Sequence, residues 1–232
     1  GVMLACIILT WSRGAWLGLG IGLLLFFLIY SSKALTFLLL GSCALPFLPF
    51  VIPANIWQRL SSIGNLADSS TNYRVNTWRG AAALAGDYFT SGIGVGENAF
   101  QRIYQNYLLP GTFSPHSHNL FLQLIIELGI FGLFVFLAVV FLFVQSSFSH
   151  ISSAKSKDSR IMTAAALCGI TAALAQGLTD YIWYNYRVFF IFWAVIGLTA
   201  ALRRCDTLET DYITRKDKQD QHAAHIDIPL YN

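Results

Sequence analysis

Residues 128–144 read LGIFGLFVFLAVVFLFV, an apolar run with no charged or hydrogen-bonding side chain. A helix advances about 1.5 Å per residue, so a run approaching 20 such residues crosses a hydrocarbon layer roughly 30 Å thick. The blocks Leu17–Tyr30 and Leu35–Ile52 are likewise predominantly apolar and carry no charged residue. The whole chain is 55% hydrophobic and 12% charged, with mean hydropathy +0.55. Its charged share is half the ~25% of ordinary soluble domains. Backbone groups in lipid must be satisfied within their own segment, which leaves helices; the alternating ~10-residue strands of a barrel are absent. The fold class is an all-α integral membrane protein, a polytopic helical bundle.

Working outward, spanning helices are expected at about 1–10, 14–31, 34–52, 119–146, 161–180 and 187–203. The first opens on Gly1 without an initiator Met or a basic n-region, and reads as the end of a truncated spanning helix rather than a signal peptide. The count is about five and a half. The organisation that follows is membrane helices over 1–52, an extracytoplasmic loop over 53–118, membrane helices over 119–203, and a polar, disordered tail over 204–232.

Charge placement sets the orientation. Lys33, Lys155, Lys157, Arg160, Arg203 and Arg204 fall on one side with the tail, and that side is cytoplasmic by the bias of Lys and Arg toward inner loops. The 53–118 loop is then outside. Every basic residue on the outer side is Arg: Arg13, Arg59, Arg74, Arg79, Arg102 and Arg187. The planar guanidinium fork binds phosphate oxygens in pairs, whereas Lys is a flexible point charge. The set fits either a diphosphate-binding face or ordinary ion pairs with Asp68, Asp87, Glu97 and Asp180.

The outer loop carries its own helices. Asn72–Tyr88 is expected to be one, capped by Ser70 or Thr71, with Arg74 and Trp78 four apart on one face. A second runs from Asn98 to Tyr107, and Gly92-Ile93-Gly94-Val95-Gly96 makes a glycine turn between them. No strand–turn–helix unit surrounds these glycines, so nucleotide binding is not read from them. His116-Ser117-His118-Asn119 opens the helix at 119; His118 is either a general base for a hydroxyl or a cap of that helix. Two His with no evident third ligand do not make a metal site. Asn119, Gln123 and Glu127 recur every four residues as a polar stripe, paralleled by Gln176 and Asp180. Such groups face a cavity or form a hydrogen-bonded seam between helices. The four cysteines show no metal-binding or redox spacing.

The strings Thr10-Trp11-Ser12-Arg13-Gly14-Ala15, Tyr73-Arg74-Val75-Asn76-Thr77-Trp78, the glycine turn with Phe100, and His118-Asn119 with Glu127-Leu128-Gly129 occur in this order. Over roughly residues 5–145 the chain resembles the C-terminal half of the O-antigen ligase-related superfamily, which includes O-antigen ligases and polymerases. Members usually have ten or more spanning helices, and residues 161–232 carry no motif that matches.

The resemblance implies a GT-C-like, metal-independent glycosyltransferase of the bacterial inner membrane, with no cofactor and no nucleic-acid partner. It implies transfer of a glycan from an undecaprenyl-diphosphate-linked oligosaccharide donor to a glycan or lipid acceptor in cell-surface polysaccharide assembly. Carried onto this sequence, Arg13 and Arg74 match the diphosphate-contacting arginines and His118 the essential histidine. Arg187, Glu127, Trp78 and Arg79 are added as substrate-binding expectations from placement. A branch of the superfamily associated with bicarbonate uptake, close to the Tyr73–Trp78 string, makes a solute or bicarbonate transporter the alternative.

Overall fold

The computed structural model of the chain describes residues 2–31, 33–44, 47–62, 65 and 67–226. Among them there are helices and no strands, in the order α1 (Val2–Leu9), α2 (Arg13–Tyr30), α3 (Ala34–Ala44), α4 (Leu48–Val51), α5 (Ala54–Ser61), α6 (Ser69–Asp87), α7 (Ala99–Tyr104), α8 (Leu120–Ser153), α9 (Lys157–Gly177) and α10 (Tyr186–Ile226). The all-α polytopic class holds.

By length and apolarity, α2, α8, α9 and the Tyr186–Lys216 part of α10 can cross a membrane. These four are counted among the described residues, and part of the 34–52 block lies outside them. In the 34–52 block the described residues form α3 and α4, and residues 45–46 between them lie outside the described part. The stretch beyond Arg203, expected to be a disordered tail, continues α10 as helix to Ile226; residues 227–232 lie outside the described part.

Close backbone contact joins α2 to α9. Gly14, Gly18 and Gly22 recur every four residues and are buried. A Cβ on Gly18 would sit 2.6 Å from the Ala172 carbonyl oxygen, and one on Gly22 3.0 Å from that of Cys168. Small residues at this spacing let helices approach closely where the hydrophobic effect offers no drive, as in lipid. Leu120, Leu133, Phe136, Phe143, Leu167, Ile170, Trp183 and Phe192 fill the seam among α8, α9 and α10. Phe131, Phe134, Phe141, Leu142, Phe190 and Ile191 point outward and are exposed, as a lipid-facing surface requires.

The 53–118 loop is a packed layer. Its largest helix, α6, starts at Ser69, slightly earlier than the sequence predicts. Asp68 is its cap, accepting from the Thr71 N–H, in place of Ser70 or Thr71. Ala81, Leu84 and Ala85 of α6 bury against Phe100 and Tyr104 of α7 and Ile126 of α8. This layer therefore rests on the first turns of α8 and marks one end of the bundle, the loop end.

One backbone break fixes that docking. Gly129 sits inside α8 with φ 70° and ψ −179°, so the helix is kinked there. Three bonds from the loop occupy the interrupted ladder: Ile93 N–H to Ile126 O (2.8 Å), Gly94 N–H to Glu127 O (3.0 Å), and Ile130 N–H to Phe89 O (2.8 Å). Gly92 has φ +65°, and a Cβ there would lie 2.4 Å from the Glu127 oxygen. The glycine turn and the Gly129 position are two halves of one joint.

Candidate active site

At the loop end, three elements converge on His118: α6, the 112–119 hook, and the turn between α9 and α10. The hook is held by its own polar groups. Ser114 donates to the His116 carbonyl (2.6 Å), Ser117 to the Asn119 carbonyl (2.9 Å), and the Ser117 N–H to Gln123 Oε1 (2.8 Å). Asn119 caps α8 by accepting from the Leu122 N–H (2.9 Å), and its amide donates to the Leu178 carbonyl (2.8 Å). So Asn119, not His118, is the cap. His118 instead turns out of line with φ 52°, a left-handed conformation rare for a non-glycine residue. Trp78 of α6 locks that turn by donating its indole N–H to the His118 carbonyl (3.1 Å).

The turn presents the imidazole to Asp180, with His118 Nδ1 3.1 Å from Asp180 Oδ1. The ring also packs edge-on to Tyr73 (5.8 Å between centroids) and to His116 (4.2 Å). A carboxylate at Nδ1 assigns the proton to that nitrogen and leaves the lone pair on Nε2. Nε2 has no hydrogen-bond partner among the described residues, and the side chain is 20% exposed. Burial pushes the Asp180 carboxyl up, but the hydrogen bond from His118 and the charges of His118, His116 and Arg74 outweigh it and hold it below the usual range.

His116 has a different role. It is buried, its Nδ1 accepts the His118 N–H (3.2 Å), and Tyr184 lies against its ring (4.7 Å). Burial, then the charges of His118 and Arg74, push it down to about 4, against the pull of Asp180. It is a neutral imidazole bracing the hook. Below it the polar stripe is bonded as a seam. Gln123 donates to Glu127 Oε1 (2.8 Å), and the Tyr181 hydroxyl lies 3.5 Å from Glu127 Oε2. The expected substrate-binding Glu127 therefore has its oxygens engaged by Gln123 and Tyr181.

The arginines separate into two kinds. Arg74 is partly exposed, makes no hydrogen bond or ion pair among the described residues, and acts electrostatically on both His116 and Asp180. Arg187 is exposed with its guanidinium 5.7 Å from the Tyr186 ring centre, and Arg79 is exposed on α6, bonded to Asn76 (3.3 Å). Arg13 departs from the expectation of a free clamp. It is 7% exposed, and its guanidinium bonds Asp68 (2.8 Å) and both the carbonyl (3.0 Å) and hydroxyl (2.7 Å) of Ser62. Ion pairing, the other reading of the outer arginines, describes Arg13.

A third candidate metal ligand beside the two His, missed in the sequence, is Asp180. His116, His118 and Asp180 offer ligand atoms within 4.8 Å of one another. Sequence reading paired Asp180 with Gln176 one turn away; the signal that pointed further was its place at the loop end of α9, level with the start of α8.

The model of the family described as O-antigen ligase matches residues 1–137. The chain belongs to the O-antigen ligase family. The match takes in Arg13, α6 with Arg74, the glycine turn, the 112–119 hook and the Gly129 break, and so covers most of the site just described. No curated protein matches the chain. Asp180, Tyr181 and Arg187 lie beyond the matched residues. The family carries with it membrane glycosyltransferase activity of the ligase or polymerase type, with a lipid-linked glycan and an acceptor as partners. Nothing in the comparison supports the transporter alternative.

Proposed function

We propose that this O-antigen ligase family chain transfers a glycan from an undecaprenyl-diphosphate donor to an acceptor hydroxyl at the loop end of the bundle, on the outer face of the bacterial inner membrane. The observation that carries the reading is an imidazole oriented by a carboxylate, within the electrostatic reach of a guanidinium, where neither Nε2 nor the guanidinium has a hydrogen-bond or ion-pair partner among the described residues. His118 Nε2 takes the proton from the acceptor hydroxyl as its oxygen attacks the anomeric carbon. The bond from that carbon to the diphosphate oxygen breaks, and the electron pair leaves with the polyprenyl diphosphate. Asp180 stabilises the imidazolium that forms. Arg74, assisted by Arg187, stabilises the negative charge on the departing diphosphate.

The transfer is read as metal-independent, and the existing bonds of the two histidines support that reading. His118 Nδ1 is committed to Asp180 and His116 Nδ1 to a backbone N–H, while the Arg74 charge lies close enough to oppose a second cation. A diphosphate is a good leaving group and Arg74 supplies the neutralising charge. Arg13 acts at one remove, fixing the start of α2 to the segment that caps α6. Trp78 holds the hook, and Arg79 lies on the outward surface of α6, where it meets the glycan. The acceptor belongs to cell-surface polysaccharide assembly, either a lipid core or another growing chain.

Two features weigh against a solute-transport reading. Transporters present broken-helix backbone to a mid-membrane cavity, whereas the freed groups around Gly129 are bonded to Phe89, Ile93 and Gly94. The Arg74 guanidinium and His118 Nε2, unpartnered among the described residues, both lie at the loop end.

The test is transfer by the full-length protein in lipid vesicles, with undecaprenyl-diphosphate oligosaccharide as donor and candidate acceptors supplied. Loss of transfer in both Arg74→Ala and His118→Ala, with insertion and folding retained and with EDTA harmless to wild type, supports the reading. Wild type that never consumes the donor, or variants as active as wild type, sink it.

A further inference from the structure

The opposite end of the bundle holds a second polar site. Ser146, Ser149, His150 and Ser153 form one face of the last turns of α8. Across from them stand Ala200, Arg203, Arg204 and Thr207 of α10, and between the two helices lies a cavity of about 340 Å³. Both sets follow the 3-and-4 spacing that places side chains on one helix face. Arg203 donates to Ser146 Oγ across the mouth. Arg204 is exposed and makes no hydrogen bond or ion pair among the described residues. Among the described residues no carboxylate lines this cavity; Asp206 and Glu209 line the neighbouring one, which also includes His150. His150 itself is occupied, with Nε2 3.0 Å from Ser159 Oγ and 3.3 Å from Asp206.

The polar cavity opens into an apolar one. An adjoining space of about 520 Å³ shares Ser146, Ser149, Ala200 and Arg203, and is otherwise lined by Val139, Leu142, Phe143, Gln145 and Ile196. Two guanidinium groups and three serine hydroxyls thus stand at the foot of a greasy groove between α8 and α10. The groove rises toward the lipid-exposed Leu142 and Phe141. Lys155, Lys157 and Arg160 follow within the connection to α9 and its first turn, with Asp158 among them. A soluble anion uses the first cavity alone; an amphiphile uses both.

We propose that this groove is a binding site for an anionic phospholipid, its phosphate held by Arg203, Arg204 and the α8 serines and an acyl chain laid along Val139, Leu142 and Ile196. Arg forks pair with phosphate oxygens, and basic pockets between spanning helices select anionic headgroups. Ser146 lies 28 residues from His118, roughly 40 Å along the helix at 1.5 Å per residue, so the site is separate from the candidate active site. The bound lipid ties α10 to α8 where their own packing is polar and thin. The proposal does not depend on the glycosyl-transfer reading.

The test is native mass spectrometry of the full chain released from phosphatidylcholine nanodiscs with and without phosphatidylglycerol. Wild type is expected to retain phosphatidylglycerol over phosphatidylcholine by about tenfold or more, the scale of two cations acting on one anionic headgroup. Arg203→Gln/Arg204→Gln should lose the preference while Arg160→Gln, outside the cavity, keeps it. Arg204→Gln alone breaks no bond among the described residues and should weaken the preference in protein that elutes as a single folded species. Equal retention of the two lipids, or full preference in Arg204→Gln and the double variant, overturns the proposal. Inorganic phosphate is the second arm: if it displaces the lipid or raises the melting temperature as phosphatidylglycerol does, the site is for a soluble anion and the lipid assignment fails.

Discussion

His118 and Asp180 stand 62 residues apart in the chain, and the imidazole Nδ1 and carboxylate oxygen meet at 3.1 Å. The pairing depends on two local features. His118 leaves the regular path with φ 52°, and Asp180 is reached one turn past the end of α9, where the Tyr181 N–H also donates to it (2.9 Å). Asp180→Asn keeps the shape and removes the charge that assigns the tautomer. Transfer is expected to fall on the order of 10²-fold or more, with donor KM little changed and insertion intact. A variant that keeps full turnover removes Asp180 from the mechanism.

Arg74 offers a planar fork with no partner among the described residues, and Lys cannot reproduce that fork. Arg74→Lys is expected to raise donor KM and lower turnover, together roughly tenfold or more in kcat/KM, because a point charge replaces bidentate contact. Arg79→Lys, on the exposed face of α6, should change little. Equal tolerance at both positions would show that neither reads a diphosphate.

Arg13 and Asp68 form a lock rather than two free groups, 7% and 18% exposed with 2.8 Å between them. The Arg13 hydrogen bond, followed by the Thr71 N–H, holds the Asp68 carboxyl down at about 2. Arg13→Ala and Asp68→Ala should each lower stability. The double variant is expected to lose less than the sum of the two single losses in a double-mutant cycle, read by denaturation in detergent. Arg13→Ala that loses transfer with stability untouched would instead return Arg13 to the donor site.

The glycine joint makes a graded prediction. Gly92→Ala and Gly129→Ala each force a Cβ into backbone oxygen, at 2.4 Å from Glu127 and 2.3 Å from Thr90, and add a left-handed φ. Strain of this kind costs of order 1–3 kcal/mol before the clash is counted, so both should fold poorly. Gly94→Ala has φ +85° but open space around it and should cost less; Gly20→Ala, in an ordinary helical position with open space, should be neutral or slightly stabilising. Melting temperatures in nanodiscs rank the four, and a Gly92→Ala as stable as Gly20→Ala refutes the joint.

The sequence made the class and the long spans legible because hydropathy over a run of residues is a local property. The 17-residue stretch at 128–144 could only be a span or a buried core. The start of the helix at 119 was legible, although its cap is Asn119 and not His118. Two things were not. The Gly129 break was hidden because a glycine inside an apolar run costs little in sequence terms, and its partner, the 92–94 turn, lies 35 residues earlier. The site was half legible: His118 and Arg74 stand out as ionisable groups at an expected interface. The pairing of His118 with Asp180, and of Arg13 with Asp68, is a long-range contact that charge placement alone leaves open.

His116 adds a dependence on pH. Its imidazole is 8% exposed and held down to about 4, chiefly by burial, whereas an unfolded histidine titrates near 6.5. Between these values the unfolded chain binds a proton that the folded one refuses, so stability is full above about 6.5 and falls as pH drops toward 4. Below 4 both states are protonated and this contribution levels off. His116→Phe keeps a ring beside Tyr184 but cannot titrate or accept the His118 N–H. It should therefore be less stable at every pH yet show a shallower decline across the window. Melting temperatures of the two proteins in nanodiscs from pH 7.5 to 4, chosen to bracket that window, decide it: parallel curves would mean that His116 is not the buried neutral group holding the hook.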